Sequence, residues 1–263
     1  MIKVADVIGA LEAFAPLSLQ ETWDNTGLQV GHRDAPVSGV LTVVDVTPER
    51  VDEAVAAGVN MIVSHHPLIF KGLRSLTDDN QVQRAVEKAL KNDIAVYSSH
   101  TALDNAENGV SYEMAARLGA RVVAPLVPLA PAATTGCGVV AQLPRAVTPR
   151  QFIDTVKEVF GNTTVRCTDP ALCRHEVSRI ALCGGAGGGF IDNAVAAGAD
   201  AYVTGDIRYH DFVDNAARIL LVDCGHFETE ALTRDIFARV LKAAFPDLRI
   251  EKSKQENNQV KYI

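Results

Sequence analysis

The chain has 263 residues, of which 48% are hydrophobic and 22% are charged. This composition suits one large α/β unit or two smaller lobes with a sizeable core. The formal net charge of −7 argues against non-specific nucleic-acid binding, which needs a positive surface. Five cysteines without a C-x-x-C spacing favour reduced thiols in a cytoplasmic protein. No apolar segment predicts a signal peptide or a membrane span.

The first half of the chain predicts alternating helices and strands. Apolar residues at helical spacing predict a helix from Val4 to Phe14 that ends near Pro16. The elements predicted next are a strand over 39–46, a helix over 48–57 that begins at Pro48, a strand that ends at His65, a helix over 81–92 and a strand over 94–98. This β-α-β-α-β order is typical of a largely parallel sheet covered by helices.

The segment 125–131 contains three prolines and is the best candidate for a linker. After it, the pattern predicts a strand over 138–142, a helix over 149–160, and strands over 180–183 and 219–222. We therefore expect lobe one to span 1–128 and to be joined by the C-terminal segment from about 222 to 263. Lobe two then spans 129–221.

Two segments of the chain resemble each other. Residues 52–66 (DEAVAAGVNMIVSHH) and 192–206 (DNAVAAGADAYVTGD) are identical at seven of fifteen positions, with a constant offset. Two Ala-rich helices can match by chance. The matched glycine and following strand favour internal duplication, so we expect an α/β fold of two similar lobes, each a helix-covered mixed or parallel sheet. Only lobe one then carries the histidine pair at this position.

Three polar clusters follow predicted strands, at the edge where ligands collect in parallel sheets. His65 and His66 end the first strand, and Pro67 takes the chain out of it, so that both imidazoles can serve one site. His100 and Asp104 follow the next strand.

The third cluster lies after the apolar run 219–222. His226 and Glu230 are four residues apart and share one face at the start of a helix, a spacing used by metal-binding motifs. Gly225 permits the sharp turn into that helix. Glu228 is assigned to the positive end of the helix dipole.

Together the clusters supply at least three imidazoles and two carboxylates. This donor set exceeds the needs of one tetrahedral zinc ion and lacks the thiolates of a structural site. It suits two divalent ions per subunit that share a water or hydroxide. Zinc, manganese, iron and nickel all remain compatible with mixed nitrogen and oxygen ligands.

Several motifs in order resemble the NIF-three-like family, whose members are labelled GTP cyclohydrolase I type 2 homologues. The motifs are WDNTGLQVG (23–31), SHHPLIF (64–70), SSHTALDNAENGV (98–110), TGDIRYHDF (204–212) and GHFETE (225–230). The resemblance implies a two-lobed α/β protein with a dinuclear metal centre, assembled as a toroidal homohexamer. The metal ligands that it implies are His65, His66, Asp104, His226 and Glu230. It places His100 at the site as a proton carrier or a supporting residue.

Other segments allow two interpretations. The glycine run 184–189 could bind phosphate at a helix start, but a tight turn with close backbone packing is slightly favoured. Asp24 and Asn25 organise a turn or approach the substrate. Arg208 could pair with a phosphate or belong to a lobe or subunit contact. Cys224 is interpreted as a small buried filler.

Three functions are compatible with these residues. The first is a metal-dependent hydrolase that acts on a nucleotide-like or phosphorylated small molecule, in which His100 moves protons. The second is a non-catalytic hexamer that binds metal for regulation or delivery. The third is a structural role, in which the metal clamps the C-terminal helix.

Overall fold

The computed structural model describes residues 1–173 and 175–261. The chain divides into two compact units: unit 1 contains residues 1–106 and 233–257, and unit 2 contains residues 107–232 and 258–263. The chain therefore enters the second unit at Glu107, rather than at 129, and returns at Thr233, rather than near 222. Within the described residues, no helix is both long and apolar enough to cross a membrane.

Among the described residues of unit 1, five strands form one sheet. The strands are β1 (Gly27–Val30), β2 (Val40–Val43), β3 (Met61–Ser64), β4 (Ala95–Ser98) and β11 (Ile250–Lys252). Their order is β1-β4-β3-β2-β11; β1 is antiparallel to β4, and the other pairs are parallel. The carboxyl ends of β2, β3 and β4 therefore meet at one edge of the sheet.

The helices of unit 1 confirm the predicted helical spacing. They are α1 (Val4–Phe14), α2 (Pro48–Ala57), α3 (Gln81–Lys91), α4 (Thr101–Asn105) and α10 (Thr233–Ala244). Helix α2 begins where predicted because Pro48 suits the first turn and the Thr47 hydroxyl accepts the backbone N–H of Arg50 at 3.4 Å. Its buried Val51 packs with Ile62 and Val96 of the sheet in one apolar core.

Unit 2 contains a mixed sheet with the strand order β5-β6-β8-β9-β10-β7. Its strands are β5 (Arg121–Pro128), β6 (Gly136–Val147), β7 (Arg166–Cys167), β8 (Val177–Ala186), β9 (Ala201–Gly205) and β10 (Leu220–Asp223). Its helices are α5 (Val110–Arg117), α6 (Pro149–Phe160), α7 (Ile191–Ala196), α8 (Tyr209–Asn215) and α9 (His226–Glu230). The central strands β8, β9 and β10 are parallel to one another, as are β2, β3 and β4 in unit 1.

The prediction of a linker over 125–131 was wrong. Pro125 and Pro128 lie in β5, where they pair with Val139 and Gly136 of β6. Strand β5 is at the edge of its sheet, and an edge strand tolerates proline because one side of it needs no ladder hydrogen bond. Proline content therefore marked a sheet edge and not a boundary between lobes.

The structure supports the internal duplication. Gly58 ends α2 with φ of 69°, and Gly198 follows α7 with φ of 70°. Each glycine leads into the central strand of a parallel trio, β3 in unit 1 and β9 in unit 2. The matched sequence thus forms the same helix, left-handed glycine and strand twice.

Gly58→Ala and Gly198→Ala should each lower the free energy of unfolding by about 1 kcal/mol, because an L-residue is strained at these angles. Space is not the cause, since a Cβ would meet no atom within 4 Å at either position. Gly9→Ala is the matched control: Gly9 lies inside α1, and alanine should raise stability by about 0.5–1 kcal/mol there. Urea denaturation measures all three, and equal effects of the three substitutions would contradict the interpretation.

Candidate metal centre

His65 and His66 leave strand β3 at its carboxyl end. The strand ends at Ser64, whose hydroxyl donates to the carbonyl of His66 at 2.8 Å. The backbone N–H groups of His65 and His66 still donate to Val43 and Val44 beside them. The two imidazole centroids are 5.1 Å apart, so the chain brings both rings to one place, as predicted from the break in strand geometry.

His100 and Asp104 follow the neighbouring strand β4. His100 is the N-cap residue of α4, and the N–H of Asp104 donates to its carbonyl at 3.1 Å. This single helical turn directs Asp104 to His65, with 3.6 Å between the carboxylate Oδ1 and the imidazole Nε2. His65 is fully buried, so this pair lies at the protected end of the cluster.

Three imidazoles meet at this edge of unit 1. His65, His66 and His100 each offer a ring nitrogen, and these nitrogens all lie within 4.8 Å of one another. The centroid of His100 is 5.3 Å from that of His65 and 5.4 Å from that of His66. Such a group of neutral imidazoles is a typical metal-binding arrangement.

The Nδ1 atom of each imidazole in unit 1 lies at hydrogen-bond distance from an oxygen. The partners are the carbonyl of Ser99 for His65 at 3.1 Å, Asp45 for His66 at 2.8 Å and Asp24 for His100 at 2.8 Å. A carbonyl or an ionised carboxylate can only accept a hydrogen bond, so each Nδ1 carries the proton. Nε2 then keeps its lone pair for a metal ion or for proton transfer.

The pKa of the Asp24 carboxyl is strongly perturbed by its surroundings. Its side chain is 0% exposed, and burial alone would raise its pKa. Hydrogen bonds from His100 and Thr101 outweigh the burial and hold the pKa of Asp24 well below its usual range. Asp24 is therefore ionised and fixes the orientation of the His100 ring.

Unit 2 carries a second imidazole–carboxylate pair at the carboxyl ends of β9 and β10. His226 and Glu230 lie one turn apart on α9, with 3.0 Å between Nε2 and Oε2. The Nδ1 of His226 donates to Asp206 at 2.8 Å. Asp206 follows β9 and corresponds to His66 in the duplicated segment.

Two glycines allow α9 to begin where it does. Gly225 adopts φ of 92°, which confirms the predicted sharp turn. A Cβ on Gly205 would lie 2.7 Å from the backbone nitrogen of His226, so glycine is required where α9 passes the end of β9. Glu228 lies in the first turn of α9 and accepts a hydrogen bond from Asn258 at 2.7 Å.

The spacing of donor atoms within each unit is close to that of two ligands on one ion. Bonds of about 2.1 Å at tetrahedral to octahedral angles place ligand atoms about 3.0–3.4 Å apart. The observed separations are 3.6 Å for His65 and Asp104, and 3.0 Å for His226 and Glu230. Imidazole and carboxylate donors suit zinc, manganese, iron and nickel.

The first half of the glycine run, residues 184–186, is the end of strand β8, and residues 187–189 lead from it into a short 3-10 turn. The N–H of Gly185 donates to Thr229 at 2.9 Å, and that of Gly187 donates to Thr204 at 2.9 Å. The Tyr202 hydroxyl donates to the carbonyl of Gly187. The N–H groups of Gly185 and Gly187 therefore have partners within the protein, which favours close backbone packing over phosphate binding at these two positions.

The structure also shows the contacts of Arg208 and the burial of Cys224, two residues considered from the sequence. The side chain of Arg208 pairs with Asp211 of its own helix, with Nε 3.0 Å from Oδ2. Cys224 is 1% exposed, and its burial raises the pKa of its thiol strongly. The thiol is therefore protonated and inert, in agreement with its interpretation as a buried filler.

Sequence reasoning missed the carboxylates that orient the imidazoles. Asp45 lies two residues after β2, at the same sheet edge as the histidines, and the rule that found His65 and His100 could have found it. Asp24 was considered only as a turn or substrate residue, and the contact of Asp206 with His226 was not predicted. No local pattern pairs Asp24 with a histidine 76 residues away.

A sequence profile of the family described as Duf34/NIF3 (NGG1p interacting factor 3) matches residues 2–259. The chain belongs to this family. A relative from Clostridium acetobutylicum named "GTP cyclohydrolase 1 type 2 homolog" is 34% identical over 252 residues, which cover 95% of this chain and 93% of the relative. "Protein NIF3 homolog" of Schizosaccharomyces pombe is 32% identical, with 86% and 84% covered.

Solved structures of other proteins share the fold. The crystal structure of Staphylococcus aureus protein SA1388 superposes with a TM-score of 0.88 at 29% identity, and covers 100% of this chain and 99% of that one. A Bacillus cereus protein described as related to NIF3 gives a TM-score of 0.89 at 24% identity, with 100% and 99% covered. The expected α/β architecture of two helix-flanked sheets is thus confirmed.

Asp45→Asn should weaken metal binding by about 10- to 100-fold, because it removes the carboxylate that orients His66. Asp52→Asn is the matched control: the Asp52 side chain is 61% exposed and, among the described residues, forms an ion pair with Lys88 alone, while the Asp45 side chain is 55% exposed. Competition titration with a chromophoric chelator measures the affinity of both variants for Zn²⁺ and Mn²⁺. Equal affinities in the two variants would show that Asp45 does not support the site.

The ionised form of Asp24 should stabilise the metal-free protein in a pH-dependent way. The folded pKa lies below the unfolded value of about 3.9. The stabilisation is therefore complete above that value and is lost as the pH falls through the folded pKa. Urea denaturation of wild type and Asp24→Asn in the presence of chelator should give a stability difference that shrinks between about pH 5 and pH 3. A constant difference over this range would contradict the assignment.

Proposed function

We propose that this protein is a metal-dependent hydrolase that acts on a nucleotide-like or phosphorylated small molecule, in the manner of a GTP cyclohydrolase I type 2. His65, His66 and Asp104 of unit 1 and His226 and Glu230 of unit 2 are proposed to hold two divalent ions per subunit. His100 is proposed to carry protons. The ligand set is the one that the family resemblance implies for this chain.

One observation carries the proposal. All four imidazoles of these clusters have Nδ1 at hydrogen-bond distance from an oxygen, and for three of them that oxygen is a carboxylate. Carboxylate–histidine pairs orient metal ligands and raise their basicity. A histidine that serves only packing needs no such arrangement, and its repetition at four positions supports a metal centre.

The surroundings of the imidazoles favour chemistry over a purely structural role. When bound, two divalent ions would supply a hydroxide at neutral pH and stabilise developing negative charge. His66 and His100 have side chains 25% and 15% exposed, so a small molecule can reach them. A structural metal site is closed by its ligands and leaves no such access.

His100 has the contacts that a proton carrier needs. Its Nδ1–H donates to ionised Asp24, which stabilises the imidazolium formed when Nε2 takes a proton. Opening the imidazole ring of GTP adds one water at C8 and breaks the C8–N9 bond to give a formamide, and a second water breaks the C8–N7 bond to release formate. Each step transfers protons to the departing nitrogen. The same pair of residues serves phosphoester or amide hydrolysis, so His100 supports the hydrolase class more directly than one substrate.

Turnover with defined metal content tests the proposal. Protein reconstituted with Zn²⁺ or Mn²⁺ should release formate from GTP or hydrolyse another nucleotide, and His66→Ala should reduce the rate more than about 100-fold. His32→Ala is the control, because His32 is an exposed histidine away from the clusters. Absence of turnover across a nucleotide and phosphoester panel, at full metal occupancy, would overturn the hydrolase.

The same preparation distinguishes the hydrolase from the alternative function. A regulatory or metal-delivery protein would bind metal with fast exchange and give no turnover. We propose a homohexamer for either function, in line with the family resemblance. Sedimentation velocity measures this assembly, and a monomeric or dimeric mass would contradict it.

A further inference from the structure

Two large aromatic side chains are exposed beside His100 in unit 1. Trp23 is 59% exposed and Phe70 is 47% exposed. Their ring centroids are 6.0 Å apart, with 62° between the planes. The His100 centroid is 6.1 Å from that of Trp23 and 6.4 Å from that of Phe70. Exposed aromatic surface costs hydration free energy, so a pair placed beside a reactive imidazole suggests ligand binding.

The aromatic pair is held in place by hydrogen bonds between its two loops. The Asn25 side chain donates to the carbonyl of Ile69 at 2.6 Å, and the N–H of Ile69 donates to Gln29 at 3.2 Å. Trp23 directly precedes Asp24, which holds His100. The backbone segments that carry the two rings are therefore held relative to each other and to the imidazole, which lowers the cost of ordering them when a ligand binds.

Phe70 also borders an open cavity of about 620 Å³ that is lined by two cationic side chains. Lys71 and Arg74 line this cavity, and within the described part of the chain neither forms an ion pair. Free cationic side chains beside an aromatic surface match a ligand that combines a planar ring with phosphate groups.

We propose that Trp23 and Phe70 form a stacking platform for the base of a nucleoside phosphate, and that Lys71 and Arg74 bind its phosphates. A planar ring stacked on the indole would meet Phe70 edge to face, because the two aromatic planes are steeply inclined. The base would then lie beside His100. This inference rests on the proposed function, since it assigns the substrate class of the same site.

The fluorescence of Trp23 reports binding directly, because the chain has one tryptophan. GTP should quench the emission of the metal-free protein, and guanosine should quench it at higher concentration. Inorganic triphosphate should leave the emission unchanged but displace GTP in competition. No quenching by GTP, together with no heat of binding in calorimetry, would overturn the platform.

Substitutions test the aromatic part and the cationic part of the proposed site separately. Phe70→Ala should weaken GTP binding about tenfold, since loss of one aromatic contact costs about this much. Leu76→Ala is the matched control, because Leu76 is 48% exposed in the same unit and does not line the cavity.

The double substitution Lys71→Gln, Arg74→Gln should weaken the binding of GTP and of triphosphate but not the binding of guanosine. Trp23→Leu, followed by calorimetry, should abolish guanosine binding and retain triphosphate, which also shows that the variant is folded.

The outcomes distinguish this inference from the hydrolase itself. Turnover of GTP with a KM unchanged by Trp23→Leu would overturn the platform and leave the hydrolase intact. Base-dependent quenching without turnover would support the platform and count against the hydrolase. If Trp23 emission in the native assembly resists acrylamide and becomes accessible only on dissociation, the surface is a subunit contact and the platform is wrong.

Discussion

The clusters depend on one repeated interaction, the hydrogen bond that fixes Nδ1 of each imidazole. Each acceptor comes from a different segment than the histidine it holds: Ser99 for His65, Asp45 for His66, Asp24 for His100 and Asp206 for His226. The tautomer of every ring is therefore a consequence of tertiary structure. The register of the parallel strands becomes a condition of function, because a shift by one residue would remove both ligand and acceptor from the sheet edge.

The internal duplication explains why the two units contribute differently. Both place polar residues after the central strand and after the next strand of a parallel trio. In unit 2 the position of His65 is taken by Gly205, because the start of α9 passes too close for any Cβ. The position of His66 is taken by Asp206, which orients His226. The same position thus holds a proposed metal ligand in unit 1 and, in unit 2, the carboxylate that orients one.

Local sequence predicted most of the fold, because its helices carry their own start and stop residues. Thr47, Pro48 and Gly58 define α2 before any tertiary contact is considered. The edge strand β5 was missed because proline has the same local signature in a linker and at a sheet edge. The positions of the imidazoles were predicted, but the groups that orient them were not. Strand ends identified His65 and His100, whereas the contact of His100 with Asp24 depends on a loop 76 residues away in the sequence.

The three histidines of unit 1 differ in their exposure to solvent. His65 is fully buried, so in the proposed centre it can hold a metal ion but cannot contact a molecule that arrives from solvent. His66 and His100 are partly exposed, so any reacting molecule must arrive on their side. The same side carries the Trp23 ring next to His100, and Asp24 connects the two, since it follows Trp23 in the chain and holds the imidazole. One short loop therefore fixes the orientation of the His100 ring, for which we propose proton transfer, and also carries the Trp23 surface proposed to meet the substrate, so a change in that loop should alter both.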